Sequence, residues 1–492
     1  MTNAQREICA SWPTVGWTAC SPEAQGMSSA LLLALLDMGV AHDLDSVLLV
    51  RGGQIVLDAY YAPFGPGLPH ALNSATKGVL GALVAIAQRD GLLALEDPIL
   101  TRFADRERAL LDPRTRSVTV QHLLDMSAGF DWDEQLTGVP ATAIEMEASP
   151  DWTSFVLERP LVNPPGAVFN YNSGNSHLLS ALLTRTTGQS ALEFARRVLF
   201  APLGIEDARW RSDPQGVSVG GYGLSLAPRD MAKLGYLHLR GGAWDGVPLL
   251  DRDWIARLER GVLDMNLPAP LRYANGWWSL PARGVYMAVG MHRQVIMVMP
   301  RLDMVAVVTG RKNYPLPALI DPIAAAVIGE QRLPDDGPAE ARLEARIQEL
   351  ARPAATRTRE TFRVADVSGT RYQFSPNPSG MLSLCLFLEA DPPQHECSVS
   401  AGLMGLLHMR GPLGFDGTFH SDPRAPGPLL ASRAHWLDEH RLVVESRLVC
   451  EGIAVRYELT FGEGAVHVAF EYNRGPRVEF TGVAQRDEDS TR

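Results

Sequence analysis

The chain has 492 residues, which is more than one hydrophobic core normally serves, so we expect at least two domains. Hydrophobic residues make up 46% and charged residues 21%, proportions that are typical of a globular protein and exclude an intrinsically disordered one. The net charge of −11 excludes the broadly basic surface that binding to phosphate backbones needs, so nucleic acid is not an expected partner.

The N-terminal segment and the cysteines indicate where the protein works. The first 20 residues include Arg6 and Glu7 and lack the apolar core of a secretory signal. The most apolar helical run, residues 78–87, is too short to cross a bilayer. The five cysteines have no CxxC spacing and the 12 histidines have no paired-ligand spacing. We therefore predict a cytoplasmic protein with no disulfide framework, no metal or other cofactor and no membrane partner.

Two hairpins, far apart in the chain, predict one antiparallel sheet built from both ends of a domain. The first has strands at 47–50 and 54–60 around a Gly-Gly turn, and the second has strands at 295–299 and 304–309. Helices are predicted between them at 78–89, 120–126, 177–187 and 228–239. This order predicts an α+β domain over residues 1–335, in which helices flank the sheet and form an additional helical region.

The composition and the apolar pattern of the chain change after residue 335. Residues 339–351 form a charged amphipathic pattern and 352–360 are rich in Pro, Arg and Thr, so we assign 336–360 to a helix and linker. Apolar and polar residues then alternate at 455–461 and 466–470, which predicts a hairpin with one buried face. Strands at 442–450 and 478–483 extend it to about four, so residues 361–492 are predicted to form an all-β, lipocalin-like barrel or a sandwich.

Ser74 and Lys77 form an S-x-x-K pair at the start of the first predicted helix. Residues three apart lie on the same helix face, so the hydroxyl and the amine can meet. A serine hydroxyl needs a base, and burial in an apolar setting favours the neutral amine of a lysine that would otherwise be protonated. The helix N-terminus also favours negative charge that develops near the serine. The pair therefore predicts a nucleophile and its base.

Two later segments contain residues that can complete such a site. Tyr171 is predicted on a short loop before an apolar helix, where its hydroxyl can relay a proton. Gly290 precedes the strand at 295–299, and a glycine there lets substrate approach the strand backbone. A backbone N–H at this position can form an oxyanion hole with that of Ser74.

In this order the three segments resemble the class C β-lactamase and penicillin-binding-protein-like serine hydrolases. Residues 118–130, 221–230 and 275–278 add to the resemblance, which covers about residues 12–330. It implies a β-lactamase/transpeptidase-like fold and acylation of Ser74. It also implies proton transfer by Lys77 and Tyr171, and a second oxyanion N–H from Met291.

The chain departs from that family at two places. The family's Tyr-x-Asn reads Tyr171-Asn172-Ser173, so Ser173 shortens or loses a contact to a substrate amide. Lactamases and transpeptidases carry Lys-Thr-Gly or His-Thr-Gly where this chain has Ala288-Val289-Gly290. The cation that would hold a β-lactam carboxylate is therefore missing.

The Gly-x-His-x-Gln pattern at 290–294 resembles the esterase and 6-aminohexanoate-dimer-hydrolase branch of the family. Arg293 replaces an expected glycine, and it either enters the cleft to bind an acidic group or points outward. His292 either faces the cleft or is structural. The candidate substrate-binding residues are thus Ser173, Gly290, His292 and Arg293.

Two other residues are candidates for a catalytic role, but the sequence around them does not favour it. Ser218 satisfies the G-x-S-x-G pattern of a nucleophile elbow, but the pattern needs a strand before the serine and a helix after it, and both flanks are predicted as loop. His122 lies on an apolar helix, where a satisfied core histidine is the expectation.

These observations predict a serine hydrolase that acts on a small ester or amide. The alternative within the enzyme class is a D-amino-acid peptidase or a weak β-lactamase, which the missing cation disfavours. A non-catalytic binding protein that keeps the fold is the alternative from another class, and the intact set of Ser74, Lys77 and Tyr171 argues against it. The sequence leaves the natural substrate and the oligomeric state open.

Overall fold

The computed structural model describes residues 12–109, 112–134, 141–267, 269–352, 367–400, 406–422, 429–449, 453–473 and 476–485. Within these ranges, no helix has both the length and the apolar character needed to span a membrane. Within the described ranges Cys20 and Cys397 are free thiols, and Cys9 and Cys450 lie outside these ranges.

The chain divides into two compact units. One unit comprises Met1–Ala59 and Pro66–Glu344, and the other comprises Tyr60–Gly65 and Ala345–Arg492. The division after residue 344 falls inside the helix Gly337–Leu350, which lies within the segment 336–360 assigned to a helix and linker. Of the predicted linker at 352–360, residues 353–360 lie outside the described part of the chain.

Twelve α-helices are described. In chain order they are α1 Ser29–Ala41, α2 Thr76–Arg89, α3 Val120–Leu124, α4 Ala141–Ala148, α5 Trp152–Leu157, α6 Ser173–Thr187, α7 Ala191–Ala195, α8 Ala201–Leu203, α9 Pro228–Leu239, α10 Arg252–Arg260, α11 Pro317–Ala325 and α12 Gly337–Leu350. A π-helical turn, Arg196–Phe200, joins α7 to α8.

The first unit contains thirteen of the described strands. They are β1 Leu44–Arg51, β2 Gln54–Tyr60, β3 His70–Ala71, β4 Arg209–Trp210, β5 Leu224–Leu226, β6 Ala243–Trp244, β7 Val247–Pro248, β8 Leu263–Asp264, β9 Arg272–Ala274, β10 Trp277–Leu280, β11 Val285–Gly290, β12 Gln294–Met299 and β13 Met304–Gly310.

Eight of these strands form the main sheet, in the order β2-β1-β13-β12-β11-β10-β9-β8. β1 pairs antiparallel with β13, with Leu48 opposite Val307, so the two distant hairpins are joined as predicted. Every residue of β11, β12 and β13 is buried, which explains why their sequences are almost entirely apolar. Helix α9 packs closely on this sheet, because a Cβ at Gly235 would lie 2.5 Å from the Val305 side chain. The predicted α+β domain, a sheet flanked by helices, is confirmed.

Helix α6 begins at Ser173, four residues before the predicted start at 177. Asn172 caps it, since its side chain accepts a hydrogen bond from the backbone N–H of Asn175 at 3.0 Å. The prediction missed this turn because Ser, Gly and Asn have low helix propensity. The earlier start places Tyr171 immediately before the cap, which fixes its position relative to the helix.

The second unit contains the remaining strands. They are β14 Arg371–Phe374, β15 Met381–Phe387, β16 Gln394–Ser400, β17 Leu406–Gly414, β18 His420–Ser421, β19 Leu430–Trp436, β20 Arg441–Leu448, β21 Ile453–Gly462, β22 Ala465–Tyr472 and β23 Val478–Gln485.

These strands close into a barrel. Their order is β17-β16-β15-β14-β23-β22-β21-β20-β19-β18, and β17 also pairs in parallel with β19, with Leu413 opposite Ser432. The pairing joins nine strands in a ring, so the predicted barrel is confirmed. The four predicted strands are β20 to β23, and the other five strands of the ring were not predicted. Polar side chains inside the barrel interrupt the alternation in two of the strands that were not predicted, since His395 Nε2 of β16 and Ser432 Oγ of β19 lie 2.8 Å apart.

Candidate active site

The segment that carries Ser74 is held by strand β5. The backbone N–H of Leu72 donates to the carbonyl of Leu224 at 2.8 Å, and the N–H of Leu224 donates to Thr76 Oγ1 at 3.3 Å. Between these two contacts, the 3₁₀ turn Asn73–Ala75 leads into α2. Ser74 is therefore half-buried at the N-terminus of a long apolar helix, where the helix dipole favours negative charge.

Lys77 is buried and contacts three oxygen atoms. Its Nζ lies 3.2 Å from Ser74 Oγ, 3.0 Å from Ser173 Oγ and 2.8 Å from the carbonyl oxygen of Gly221. Burial lowers the pKa of Lys77 to about 8, while the negative charge of Glu134 acts in the opposite direction. A lysine with such a pKa is neutral in a substantial fraction of molecules at mildly alkaline pH, so it can act as a base.

Tyr171 lies against both members of this pair. Its ring centre is 4.7 Å from Lys77 Nζ. Burial raises the pKa of the Tyr171 phenol above its usual value, and a hydrogen bond with the Ser74 side chain acts in the opposite direction. The phenol therefore keeps its proton at neutral pH, which suits it to relay a proton and leaves the role of base to Lys77.

Aromatic side chains fix Tyr171 in place. Its ring lies 6.1 Å from that of Tyr273 in an edge-to-face arrangement and 6.5 Å from that of Trp278. Phe169 packs on Tyr273 at 5.3 Å. These four aromatic residues form an apolar wall beside Ser74.

Glu134 is a site residue that the sequence did not predict. Its Oε1 accepts a hydrogen bond from Ser173 Oγ at 2.5 Å, and its Oε2 accepts from the backbone N–H of Ser173 at 3.0 Å and from Trp132 Nε1 at 2.5 Å. Glu134 thus lies one residue away from Lys77 in a chain of hydrogen bonds. Its neighbours Trp132 and Asp133 form no recognisable motif, so the sequence contained no signal for this contact.

The carbonyl of Gly221 was also missed as a contact of Lys77. Residues 221–230 contributed to the family resemblance, but a backbone carbonyl leaves no trace in side-chain patterns. A Cβ at Gly221 would lie 2.8 Å from the Cβ of Ser173. Glycine is therefore required here for the loop to approach the start of α6 and reach Lys77.

The end of β11 lies beside the turn that carries Ser74. Asn73 Nδ2 donates to the carbonyl of Met291 at 3.1 Å. A Cβ at Gly290 would lie 2.1 Å from the carbonyl oxygen of Leu72, so close packing of this backbone excludes a side chain at 290. We had expected the glycine to admit substrate, and the structure gives it a packing reason. The residues of the predicted oxyanion hole, Ser74 and Met291, belong to these adjoining segments.

His292 and Arg293 form a tight turn between β11 and β12 with left-handed φ angles of 62° and 65°. Burial lowers the pKa of His292 to about 4, so its imidazole is neutral at pH 7. The Nε of Arg293 donates to the carbonyl of Tyr314, and its guanidinium lies over the Tyr314 ring at 5.6 Å from the ring centre. Both the backbone carbonyl and the ring of Tyr314 therefore contact the Arg293 guanidinium.

Ser218 and His122 have structural surroundings. Ser218 is buried between loop segments, and its Oγ accepts a hydrogen bond from the backbone N–H of Leu192 at 3.3 Å. The strand and helix of a nucleophile elbow do not flank it. His122 is half-buried and forms a capping box with Thr119, whose N–H donates to His122 Nδ1 at 3.2 Å. His122 therefore caps helix α3 where we had expected a core residue.

The sequence profile of the Beta-lactamase family matches residues 38–330, which include Ser74, Lys77 and Tyr171. This chain belongs to the β-lactamase family. As a β-lactamase-family member it has the β-lactamase/transpeptidase-like fold, followed by the closed barrel.

Two curated proteins are similar to this family member. It is 25% identical over 284 residues to the 6-aminohexanoate-dimer hydrolase of Paenarthrobacter ureafaciens, covering 54% of this chain and 71% of that protein. It is 29% identical over 191 residues to the lovastatin esterase of Penicillium rubens, covering 35% of this chain and 46% of that protein, so this match spans less than half of the esterase. As a member of this family, the chain is a hydrolase.

One solved structure matches nearly the whole length of this chain. The octameric penicillin-binding protein homologue from Pyrococcus abyssi superposes with a TM-score of 0.50 and 16% sequence identity, covering 91% of this chain and 99% of that chain. At this identity the likeness supports the fold of the β-lactamase-family chain.

Proposed function

We propose that the protein is a serine hydrolase that cleaves a small ester or amide through an acyl-enzyme on Ser74. The observation that carries this proposal is the contact of 3.2 Å between Ser74 Oγ and the buried Nζ of Lys77. Lys77 has a pKa lowered to about 8 by burial, so its neutral amine is accessible near physiological pH. A weak nucleophile is thereby placed next to a usable base.

In the first half of the proposed reaction, the neutral amine of Lys77 takes the hydroxyl proton as Ser74 Oγ attacks the substrate carbonyl carbon. The backbone N–H groups of Ser74 and Met291 stabilise the negative charge on the carbonyl oxygen. The Lys77 ammonium then returns the proton to the leaving alcohol or amine, with the Tyr171 hydroxyl as relay, and the acyl group remains on Ser74.

In the second half, water attacks the ester carbonyl of the acyl-enzyme. Lys77 is neutral again and accepts the proton of the attacking water, directly or through Tyr171. Collapse of the tetrahedral intermediate breaks the bond between Ser74 Oγ and the acyl carbon. Ser74 regains its proton from Lys77, and the carboxylic acid leaves.

Two features of the residues around Ser74 support an uncharged substrate. Ala288 stands where lactamases carry a cation, and it is buried against α2. Phe169 and Trp278, the half-buried members of the aromatic wall, favour an apolar group next to the scissile bond. The names of the two curated relatives, a dimer hydrolase and an esterase, agree with either an amide or an ester.

A substrate panel tests this proposal. The wild type, Ser74→Ala and the control Ser218→Ala are assayed on p-nitrophenyl esters of increasing acyl length, short amides and a chromogenic β-lactam. We expect the wild type and Ser218→Ala to turn over esters or amides well above the β-lactam, and Ser74→Ala to lose activity. Full activity of Ser74→Ala on the best substrate would overturn the assignment. A best substrate among the β-lactams or D-amino-acid amides would replace the proposed substrate class.

A further inference from the structure

Ser173 lies between the proposed base and a carboxylate. Its Oγ is 3.0 Å from Lys77 Nζ on one side and 2.5 Å from Glu134 Oε1 on the other. All three groups meet at the start of α6, where the backbone N–H of Ser173 also donates to Glu134. The hydroxyl therefore has two partners, and their chemistry decides which of them receives its proton.

Glu134 settles the direction of this hydrogen bond. An ionised carboxylate has only acceptor sites, so the proton of the Ser173 hydroxyl points to Glu134. The Ser173 oxygen then presents only lone pairs to Lys77. The second neighbour of Lys77, the carbonyl oxygen of Gly221 at 2.8 Å, is likewise an acceptor only.

A neutral lysine amine has two protons and one lone pair. In this site its two protons are directed to two obligatory acceptors, Ser173 Oγ and the carbonyl of Gly221. The third contact of the nitrogen is Ser74 Oγ at 3.2 Å. The remaining lone pair consequently faces Ser74, which is the orientation that proton abstraction requires.

We propose that Glu134 is a positioning residue that acts through Ser173 to aim the lone pair of Lys77 at the Ser74 hydroxyl. The inference rests on the proposed function, because it assigns Lys77 the role of base. Glu134 does not touch the reacting atoms, and its effect depends on the Ser173 hydroxyl. Ser173 thus helps to orient the base Lys77 in this chain, whereas the sequence predicts a substrate contact for it.

The pKa of Lys77 is a second property by which the proposal can be tested, since it depends on the charges around the amine. The titratable and charged groups of the described elements around the site are Glu134, Tyr171, Tyr222, Tyr273, the pair Glu147 and Arg211, and the pair Asp125 and Arg257. Of these, Glu134 acts directly on Lys77 and raises its pKa against the effect of burial. Loss of that charge would lower the pKa of Lys77 further. Burial raises the pKa of Glu147 to about 6, below the titration of Lys77.

The test compares Glu134→Gln, Glu134→Asp, Ser173→Ala and the double variant Glu134→Gln/Ser173→Ala with the wild type. Glu145→Gln is the matched control, because Glu145 is an exposed carboxylate on α4 whose partner is Arg159 at 3.8 Å. The acylation rate constant is measured from the burst of p-nitrophenol across pH 5–10, alongside KM and thermal unfolding. Ser74→Ala, measured in parallel, reports separately on the proposed function.

We expect Glu134→Gln and Ser173→Ala each to reduce the plateau rate of acylation about tenfold to a hundredfold, part of what a general base contributes, with little change in KM. The double variant should be no slower than Ser173→Ala, since Glu134 acts through that hydroxyl. In a plot of the acylation rate constant against pH, the acidic limb should move to lower pH in Glu134→Gln. It should stay in place in Glu134→Asp and in Glu145→Gln.

Additive losses in the double variant would overturn the inference, as would a Glu134→Gln profile that matches the control. Should Glu134→Gln fail to fold, Ser173→Ala and Glu134→Asp decide the matter, and wild-type acylation in Ser173→Ala contradicts the inference. If Ser74→Ala retains burst kinetics, the proposed function itself has failed, and that result is distinguishable from a failure of Glu134.

Discussion

Asn73 and Met291 join the two backbone segments on which the proposed oxyanion hole depends. The side-chain amide of Asn73 donates to the carbonyl oxygen of Met291 at 3.1 Å, although the residues are 218 positions apart. Asn73 has a left-handed φ of 48°, a conformation that asparagine tolerates better than most residues. Asn73 thus holds the end of β11 beside Ser74.

Replacement of Asn73 by glycine keeps the left-handed backbone accessible and removes this hydrogen bond. We expect kcat on a p-nitrophenyl ester to fall about tenfold, because misaligned oxyanion donors stabilise the transition state less well. KM should change by less than about twofold. Asn266→Gly is the control, since Asn266 is exposed and has a similar φ of 54°. Equal kcat values for the two variants would show that the contact has no catalytic effect.

The pH dependence of kcat/KM should follow the titration of Lys77. Activity needs the neutral amine, so kcat/KM on an uncharged ester should rise with pH and level off above a midpoint near the Lys77 pKa of about 8. Lys77→Arg should lose activity by about a thousandfold, because a guanidinium stays protonated over this range. A profile that is flat from pH 6 to pH 9 is incompatible with Lys77 as base.

The same lowered pKa carries a cost in stability. Lys77 has a pKa of about 8 in the folded state, below the value of 10.5 for a lysine in water, so the unfolded state binds its proton more tightly. The penalty is fully present below pH 8 and disappears as pH rises through 10.5. Lys77→Met should therefore gain stability relative to the wild type at pH 7. That difference should shrink by about 2 kcal/mol at pH 10, as measured by denaturant unfolding at both pH values.

Gly276 packs directly on the helix that carries Lys77. Its φ is 90°, and a Cβ there would lie 2.3 Å from the carbonyl oxygen of Lys77. Gly246 has a comparable φ of 77° and nothing within 4 Å of such a Cβ. Both alanine variants place a side chain at a positive φ and only Gly276→Ala adds a clash, so it should cost about 1–3 kcal/mol more unfolding free energy than Gly246→Ala. Equal losses would show that α2 moves freely away from this loop.

Short-range spacing made much of the site predictable. Ser74 and Lys77 are one helical turn apart, so their contact follows from helix geometry, and the paired hairpins of the sheet follow from uninterrupted or alternating apolar residues. The contacts of Lys77 with Glu134 through Ser173 and with the carbonyl of Gly221 depend on tertiary packing of distant loops. The barrel strands that contain His395 and Ser432 were missed because buried polar residues interrupt the period of two.

The most direct test of the central claim is covalent labelling of the intact protein with a fluorophosphonate, followed by peptide mass spectrometry. The reagent reacts with an activated serine, so we predict one adduct per chain on Ser74 in the wild type and in Ser218→Ala, and none in Ser74→Ala. Labelling should slow at acidic pH as Lys77 becomes protonated. An unlabelled Ser74 at saturating reagent, or an adduct on Ser218 in its place, would contradict the account.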